Sequence, residues 1–483
     1  MEGFIAGLGS AIGTIDGIVW GFPLIIILVG THIYMTIRTR GIQRKIGLGI
    51  KLSFAKDKDG EGNISQFGAL TTALSATIGT GNIVGVATAI VSGGPGAVFW
   101  MWIIGVFGIA TKYAESFISL RFRVKDHAGD MLGGAMYALE NGFPKKKWAK
   151  VVAILFALFA ALASFGIGGA VQSNSVCGII TEYANVPIWA IGLIMAVLVG
   201  IVVLGGIRSI SKVCEKLVPF MAIFYVLCCL AIICMNYAYI GPAIKYIVVC
   251  AFTPTALFGG GAGFAVMQAM RYGAARGLFS NESGMGSAPL ASANAVTRNP
   301  ARQALVSMTG TFWDTVIVCA ITGITLISSM LATDPGTAGS IAATYTAGGF
   351  AKGLQLTVAC FGQVPLFGPA VLIVGMVLFS YTTMLGWSWY GNRVVAYLFG
   401  KKAIKPYQVL FIIFIILGAI GGDAAIASLA WDFADVMNGL MVVPNVIAVW
   451  ALAGLISRET KHYVYDKNLD EKEDRDIPTI DSK

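Results

Sequence analysis

The stretch Thr77-Ile78-Gly79-Thr80-Gly81-Asn82-Ile83-Val84-Gly85-Val86 places glycines, threonines and an asparagine at the centre of an uncharged run from Phe67 to Val91. A run of that length spans a membrane. Glycine costs about 1 kcal/mol in a helix interior, and polar groups in lipid must find partners. These residues therefore weaken a spanning helix where solvent cannot rescue it. Breaks at membrane depth persist where protein buries them or where they line a cavity, and there their free amides and carbonyls bind anionic groups and cations. The competing use of Gly81 and Gly85 is a close helix–helix contact. A second interruption, Phe258-Gly259-Gly260-Gly261-Ala262-Gly263-Phe264, packs four glycines into five residues and cannot hold an ordinary helix.

Two polar stripes accompany the breaks. Ser164, Gly168 and Gln172 are spaced i, i+4, i+8 and share one helix face. Gly168 leaves room there, and Gln172 offers both a donor and an acceptor. Ser380, Thr383 and Trp387 are spaced i, i+3, i+7. Hydroxyls at Ser380 and Thr383 suit a hard cation, and Trp387 can wall a pocket and stack on an ammonium. The competing use of each hydroxyl is a bond back to its own helix. Phe165, Phe264 and Trp387 are bulky enough to crowd a cavity and favour small substrates. A half-helix N-terminus attracts a carboxylate, and unwound carbonyls attract Na⁺ or an ammonium, so a zwitterionic amino acid fits both.

The elements that position these residues are transmembrane. The chain has 483 residues, 56% of them hydrophobic and 12% charged, with mean hydropathy +0.76, beyond what a soluble domain carries. Eleven spans are expected, near 16–37, 66–91, 96–120, 148–179, 187–206, 216–240, 252–273, 303–331, 364–396, 407–424 and 433–456. Of the 34 lysines and arginines, 31 fall on one side of this arrangement. That is the positive-inside pattern, which puts the C-terminus in the cytoplasm and the N-terminus outside. It also explains the net charge of +9 without a nucleic-acid partner. The segment before residue 16 lacks the basic region of a signal peptide, so the first span is expected to be retained.

The two interruptions lie five spans apart, and an odd offset reverses direction in the membrane. Paired interruptions in opposed halves point to the binding site of a secondary transporter. The expected fold is an all-α integral membrane protein with a 5+5 inverted repeat, two discontinuous helices and one extra N-terminal helix. One transmembrane domain, 1–465, holds the extra span and repeats at 66–240 and 252–456. The tail 466–483 is expected to be disordered and cytoplasmic. The Gly/Thr/Ala-rich loop 334–358 is expected to form short helices.

Charge placement narrows the cargo. No Asp or Glu lies between Glu61 and Glu115, or between Glu215 and Glu282. A proton-coupled carrier usually needs an intramembrane acid or histidine beside its substrate, and a cationic substrate needs a carboxylate. Sodium coupling and a neutral zwitterion are favoured, with proton-driven transport of another small zwitterionic solute as the alternative. Asp314 is the leading candidate for a proton or second-cation role. Lys112 and Glu115 read as a structural ion pair. Asp432 and Asp435 read as solvated or helix-capping. Three scattered histidines and eight unpatterned cysteines support neither a metal site nor an enzyme, and no filter repeat supports a channel. No cofactor is expected.

Several blocks carry a resemblance. They are Ala76-Thr77-Ile78-Gly79-Thr80-Gly81-Asn82-Ile83, Gly93-Gly94-Pro95-Gly96-Ala97-Val98-Phe99-Trp100-Met101-Trp102, Ala110-Thr111-Lys112-Tyr113-Ala114-Glu115, the run Phe279 to Pro289, and Leu385-Gly386-Trp387-Ser388-Trp389-Tyr390-Gly391. With these the chain resembles the alanine or glycine:cation symporters, which have the leucine-transporter-type fold. The resemblance implies sodium-driven uptake of alanine or glycine across the cell membrane. It implies that the break at Gly79, Thr80, Gly81 and Asn82, with Gln172, Thr383 and Trp387, lines the substrate pocket, to which spacing and bulk add Gly168 and Phe264. It implies a Na⁺ site between span-two carbonyls, at Ala76 and Gly79, and the hydroxyls of Ser380 and Thr383. Ser283 stands where the signature has alanine, read as a small exposed-loop change. The Phe279–Pro289 block is expected to help close an inner gate, with Glu282 paired to an arginine.

Overall fold

The computed structural model describes residues 2–480 apart from 56, 58–59, 254–261, 422–424 and 474. Long apolar runs become helices because a membrane leaves the backbone no other way to satisfy its hydrogen bonds. In chain order the helices are α1 (Glu2–Val19), α2 (Phe22–Arg38), α3 (Ile46–Ser53), α4 (Gln66–Thr77), α5 (Val86–Gly93), α6 (Gly96–Arg121), α7 (Ala135–Gly142), α8 (Lys147–Ala163), α9 (Val171–Tyr183), α10 (Ile188–Leu204) and α11 (Gly206–Met235). Then follow α12 (Ile240–Phe252), α13 (Ala262–Asn281), α14 (Pro289–Ser292), α15 (Pro300–Thr311), α16 (Ala320–Leu331), α17 (Ile341–Thr346), α18 (Gly353–Gly362), α19 (Phe367–Phe399), α20 (Ile404–Ile420), α21 (Ala425–Ala451) and α22 (Ala453–Thr460). Among the described residues, eight helical runs are long and apolar enough to cross a membrane, or nine if the bent pair Gln66–Thr77 and Gly81–Gly93 counts as one span.

The first expected break is present. The axes on its two sides differ by 55°. Ser65 caps α4 by accepting from the Gly68 amide at 2.8 Å, so the helix starts firmly and fails only at its glycines. The second glycine cluster, 258–261, lies outside the described residues. Its flanks correct the expected boundary of span seven. That span was expected to begin at residue 252, but a further helix, α12, already runs over Ile240–Phe252, and α13 extends to Asn281. The loop after span eight does contain short helices, α17 and α18.

Three spans carry π-helical turns: Gly81–Gly85 after the break, Ser164–Ala170 between α8 and α9, and Phe312–Cys319 between α15 and α16. Such turns widen a helix by one residue and often mark functional positions. Here they hold Asn82, Gly168 and Asp314.

The tail is not free, contrary to expectation. A three-stranded sheet joins β1 (Val124–Asp126), β2 (Met131–Leu132) and β3 (Thr479–Ile480) in the order β2-β1-β3, with β3 parallel to β1. Asn299 caps α15 through its Oδ1 and donates from Nδ2 to the carbonyls of Leu469 and Glu471 at 2.8 and 2.9 Å. Arg302 meets Asp470 at 2.8 Å, and Arg121 meets Glu473 at 2.9 Å. Two of the tail's acids, Asp470 and Glu473, thus pair with arginines of the helices.

Lys112 and Glu115 do pair, at 3.3 Å, in α6. The pair is also the centre of a buried knot. Lys112 Nζ donates to the Glu282 carbonyl at 3.0 Å. One Glu115 oxygen accepts from the Gly284 and Gly286 amides, at 3.1 and 3.2 Å, and from Asn445 Nδ2 at 2.9 Å. Gly284 and Gly286 reach it with φ of +92° and +77°, where glycine is the natural residue. At Gly286 a Cβ would also lie 2.6 Å from Asn445 Oδ1. The signature loop is thus wound around Glu115. This corrects two expectations. Ser283 is fully buried, with its hydroxyl 2.8 Å from that of Thr311. Glu282 is buried and accepts from Ser287 at 2.5 Å rather than pairing with an arginine. Removing one partner of a buried pair costs about 3–5 kcal/mol. Glu115→Ala is therefore expected to lower the thermal unfolding midpoint of the detergent-solubilised protein by several degrees. An unchanged midpoint would contradict the knot.

Candidate functional site

At the break, α4 ends at Thr77 and Ile78 turns extended, with φ −75° and ψ 95°. The chain then needs a partner for each freed group, and Asn82 supplies most of them. Its Oδ1 accepts from the Gly79 amide at 2.8 Å, while its own amide donates to the Gly79 carbonyl at 3.2 Å. Its Nδ2 donates to Asp314 Oδ1 at 2.7 Å. The other Asp314 oxygen accepts from Ser280 at 2.9 Å and Thr315 at 2.7 Å. This fully buried carboxylate gathers donors from the break, from the end of α13 and from its own π turn. Asp314, expected as a proton or second-cation group, is a saturated hub holding three elements together. Asp435 also departs from expectation. It lies inside α21, not at its start, with one carboxylate oxygen buried and without a partner.

On the open side of the break lies a cavity of about 10 Å³, room for about one water molecule. Of the expected residues, Ala76, Gly79, Thr80, Gly81, Gln172 and Thr383 line it. Thr77, Ile167, Phe279, Ser280 and Glu282 complete the wall. These five were not anticipated. Phe279, Ser280 and Glu282 sit in or beside the signature run, which marked them as notable without saying that they face the break.

Thr383 projects from α19, its hydroxyl donating to the Phe379 carbonyl at 2.8 Å and lying 3.4 Å from the Ile78 carbonyl. Ile78, not Ala76 or Gly79, is therefore the break residue whose carbonyl faces this hydroxyl. The Gly79 carbonyl is taken by Asn82. Gln172 donates to the Ile167 carbonyl at 3.1 Å, leaving its Oε1 buried and unpartnered beside the cavity.

The other expected residues stand further back. Asn82 braces the break from behind. Gly168 is a packing position, since a Cβ there would lie 2.3 Å from Trp387 Cβ. Trp387 is buried against Gly168 and makes an edge contact with Tyr390 at 5.6 Å, its indole nitrogen without a partner. Neither residue lines the cavity. Ser380 Oγ is buried and unpartnered, also outside the lining. Phe264 falls in the first turn of α13, and its side chain lies outside the described residues.

Chemically the site offers carbonyl, hydroxyl and amide groups and the carboxyl group of Glu282. Among the described residues no group of three or more His, Cys, Asp or Glu could hold a metal. Its space is far below the roughly 300–1,000 Å³ of typical ligand pockets, so admitting a ligand of ordinary size requires its walls to separate.

The model of the sodium:alanine symporter family matches residues 6–477. The chain is 44% identical over 457 residues to the sodium/alanine symporter AgcS of Methanococcus maripaludis, covering 94% of this chain and 97% of that protein. It is 45% identical over 456 residues to a protein of Haemophilus influenzae described as an uncharacterized transporter, covering 94% and 96%. Among solved structures it matches MhsT, crystallised with L-phenylalanine. The TM-score is 0.54 at 16% identity, with 83% of this chain and 98% of that one covered. That likeness carries the fold, which is of the leucine-transporter type. This integral membrane protein is a transporter and not an enzyme, and it belongs to the sodium:alanine symporter family.

Proposed function

We propose that this chain imports alanine, glycine or both by sodium-coupled alternating access. The N-terminus would lie outside, and the C-terminus in the cytoplasm, from the distribution of basic residues. The observation that carries the reading is the small cavity between the broken span, Gln172 and Thr383. Its walls offer carbonyl, hydroxyl and amide dipoles for a small zwitterion, and the acid among them, Glu282, is already engaged by Ser287.

The cation is proposed to sit between the Ile78 carbonyl and the Thr383 hydroxyl, with Ala76, Gly79 and Ser380 the further candidates. Adjacent oxygen ligands held about 2.4 Å from a hard cation, at right angles, lie about 3.4 Å apart. The Ile78–Thr383 separation is 3.4 Å. A cation there ties the break to α19 and orders the backbone that receives the substrate. Substrate binding then favours occlusion, and the core rocks to expose the site inward. The coupling is reciprocal: sodium tightens alanine binding by the same factor that alanine tightens sodium binding. An equilibrium titration of labelled alanine onto purified protein, in Na⁺ and in choline, tests this. Affinity at least about fivefold higher in Na⁺ is expected. Equal affinities would count against coupling at this site.

A further inference from the structure

We propose that the face formed by α3, α4 and α11 is a binding site for one anionic phospholipid, with its acyl chain seated against the back of the broken span.

A crevice of about 480 Å³ opens there, lined almost wholly by apolar side chains. Leu70, Leu74 and Ile78 form its floor along α4, and Ala222 and Ile223 form a wall on α11. Trp313 and Ile317 close the third side from the π turn that holds Asp314. Ile78 and Trp313 place the crevice directly behind the two groups that organise the transport site. Pro219 also lines it; inside α11 it cannot donate to the preceding turn. Phe54 stands 73% exposed at the rim, stacked on Phe67 at 5.4 Å. Ile223 and Leu227 are each 59% exposed. In a membrane protein such a face meets lipid, so the occupant is an acyl chain.

Charge selects the headgroup. Lys212, Lys216, Ile223 and Leu227 follow one stripe of α11, spaced by four, seven and four residues. Lys212 and Lys216 border a shallow depression with Phe220, about 10 Å along the helix from the crevice wall. Both are exposed, and among the described residues neither has an ion-pair partner. The nearby acid, Glu215, is turned away, with Oε1 accepting from Ser65 at 3.0 Å at the start of α4. After Lys216 the helix carries no further charge, so the two ammonium groups sit at the border of the apolar run. There, basic side chains attract anionic headgroups.

The full-length transporter, delipidated in detergent, is titrated with phosphatidylglycerol or phosphatidylcholine and read by native mass spectrometry. The wild type should retain one phosphatidylglycerol in preference to phosphatidylcholine. K212Q/K216Q should lose about 30-fold of that preference. A222W, which fills the crevice, should weaken retention of both lipids. The double variant changes only exposed side chains, so folding does not compromise it. The proposal is overturned if the wild type retains both lipids equally or if K212Q/K216Q keeps the preference. It is also overturned if glycerol 1-phosphate, which has no chain, competes as well as the whole lipid.

Discussion

Gly79→Ala is expected to reduce alanine uptake about 100-fold while leaving the amount of folded protein in the membrane unchanged. A Cβ at Gly79 would lie 2.6 Å from the Thr383 hydroxyl. That hydroxyl is held on α19 by its bond to the Phe379 carbonyl, so it can give way only by breaking it. The added methyl would enter a cavity of about 10 Å³ that both residues line and would push apart the Ile78 carbonyl and Thr383. Gly81 lines the same cavity but is approached less tightly, and serves as the comparison. A Cβ there would meet Phe279 and Ser280 at 3.5 Å, an ordinary contact, and Gly81→Ala should cost less than about fivefold in uptake. Equal losses from both substitutions would mean that helix propensity, not the approach of α19, makes these glycines necessary.

Asp314→Ala should be the most damaging single change in the site. It removes the carboxylate acceptor of Asn82, Ser280 and Thr315, all buried, and leaves Asn82 only the carbonyl of residue 314 and the Cys319 sulfur, and Ser280 only that sulfur, each at 3.3 Å. Each unpaired donor costs about 1–3 kcal/mol, and about 3–5 kcal/mol in total is reasonable after relaxation. Because Asn82 also holds the Gly79 amide, the break itself loosens. Uptake should fall to background, with a lowered unfolding midpoint. Asn82→Ala should give a smaller version of the same defect. In a double-mutant cycle the two should be non-additive by more than about 0.5 kcal/mol. Normal transport by Asp314→Ala would remove Asp314 from the account.

The break at Gly79–Asn82 was legible because glycine and small polar residues weaken a helix by a local rule that needs no tertiary knowledge. The polar face that carries Thr383 was legible for a different local reason, since spacing within one helix fixes which residues share a face. Spacing does not say which way that face points. That is why Gly168 and Trp387 were read as pocket walls when they pack against each other behind it. The π turn at Phe312–Cys319 has no composition signal, and without it Asp314 could not be seen as the partner of Asn82, 232 positions away. The tail was misread because its charges look solvated until Asn299, Arg302 and Arg121 are placed beside it. Ser283 looked exposed because it lies in a polar loop, yet that loop is wound around a buried glutamate.

The most direct test of the central claim is uptake of labelled alanine into proteoliposomes of the purified protein. An inward Na⁺ gradient is compared with choline replacement and with a pH gradient alone. Accumulation above equilibrium only with the Na⁺ gradient is the predicted result. Accumulation driven by the pH gradient without sodium would contradict the account.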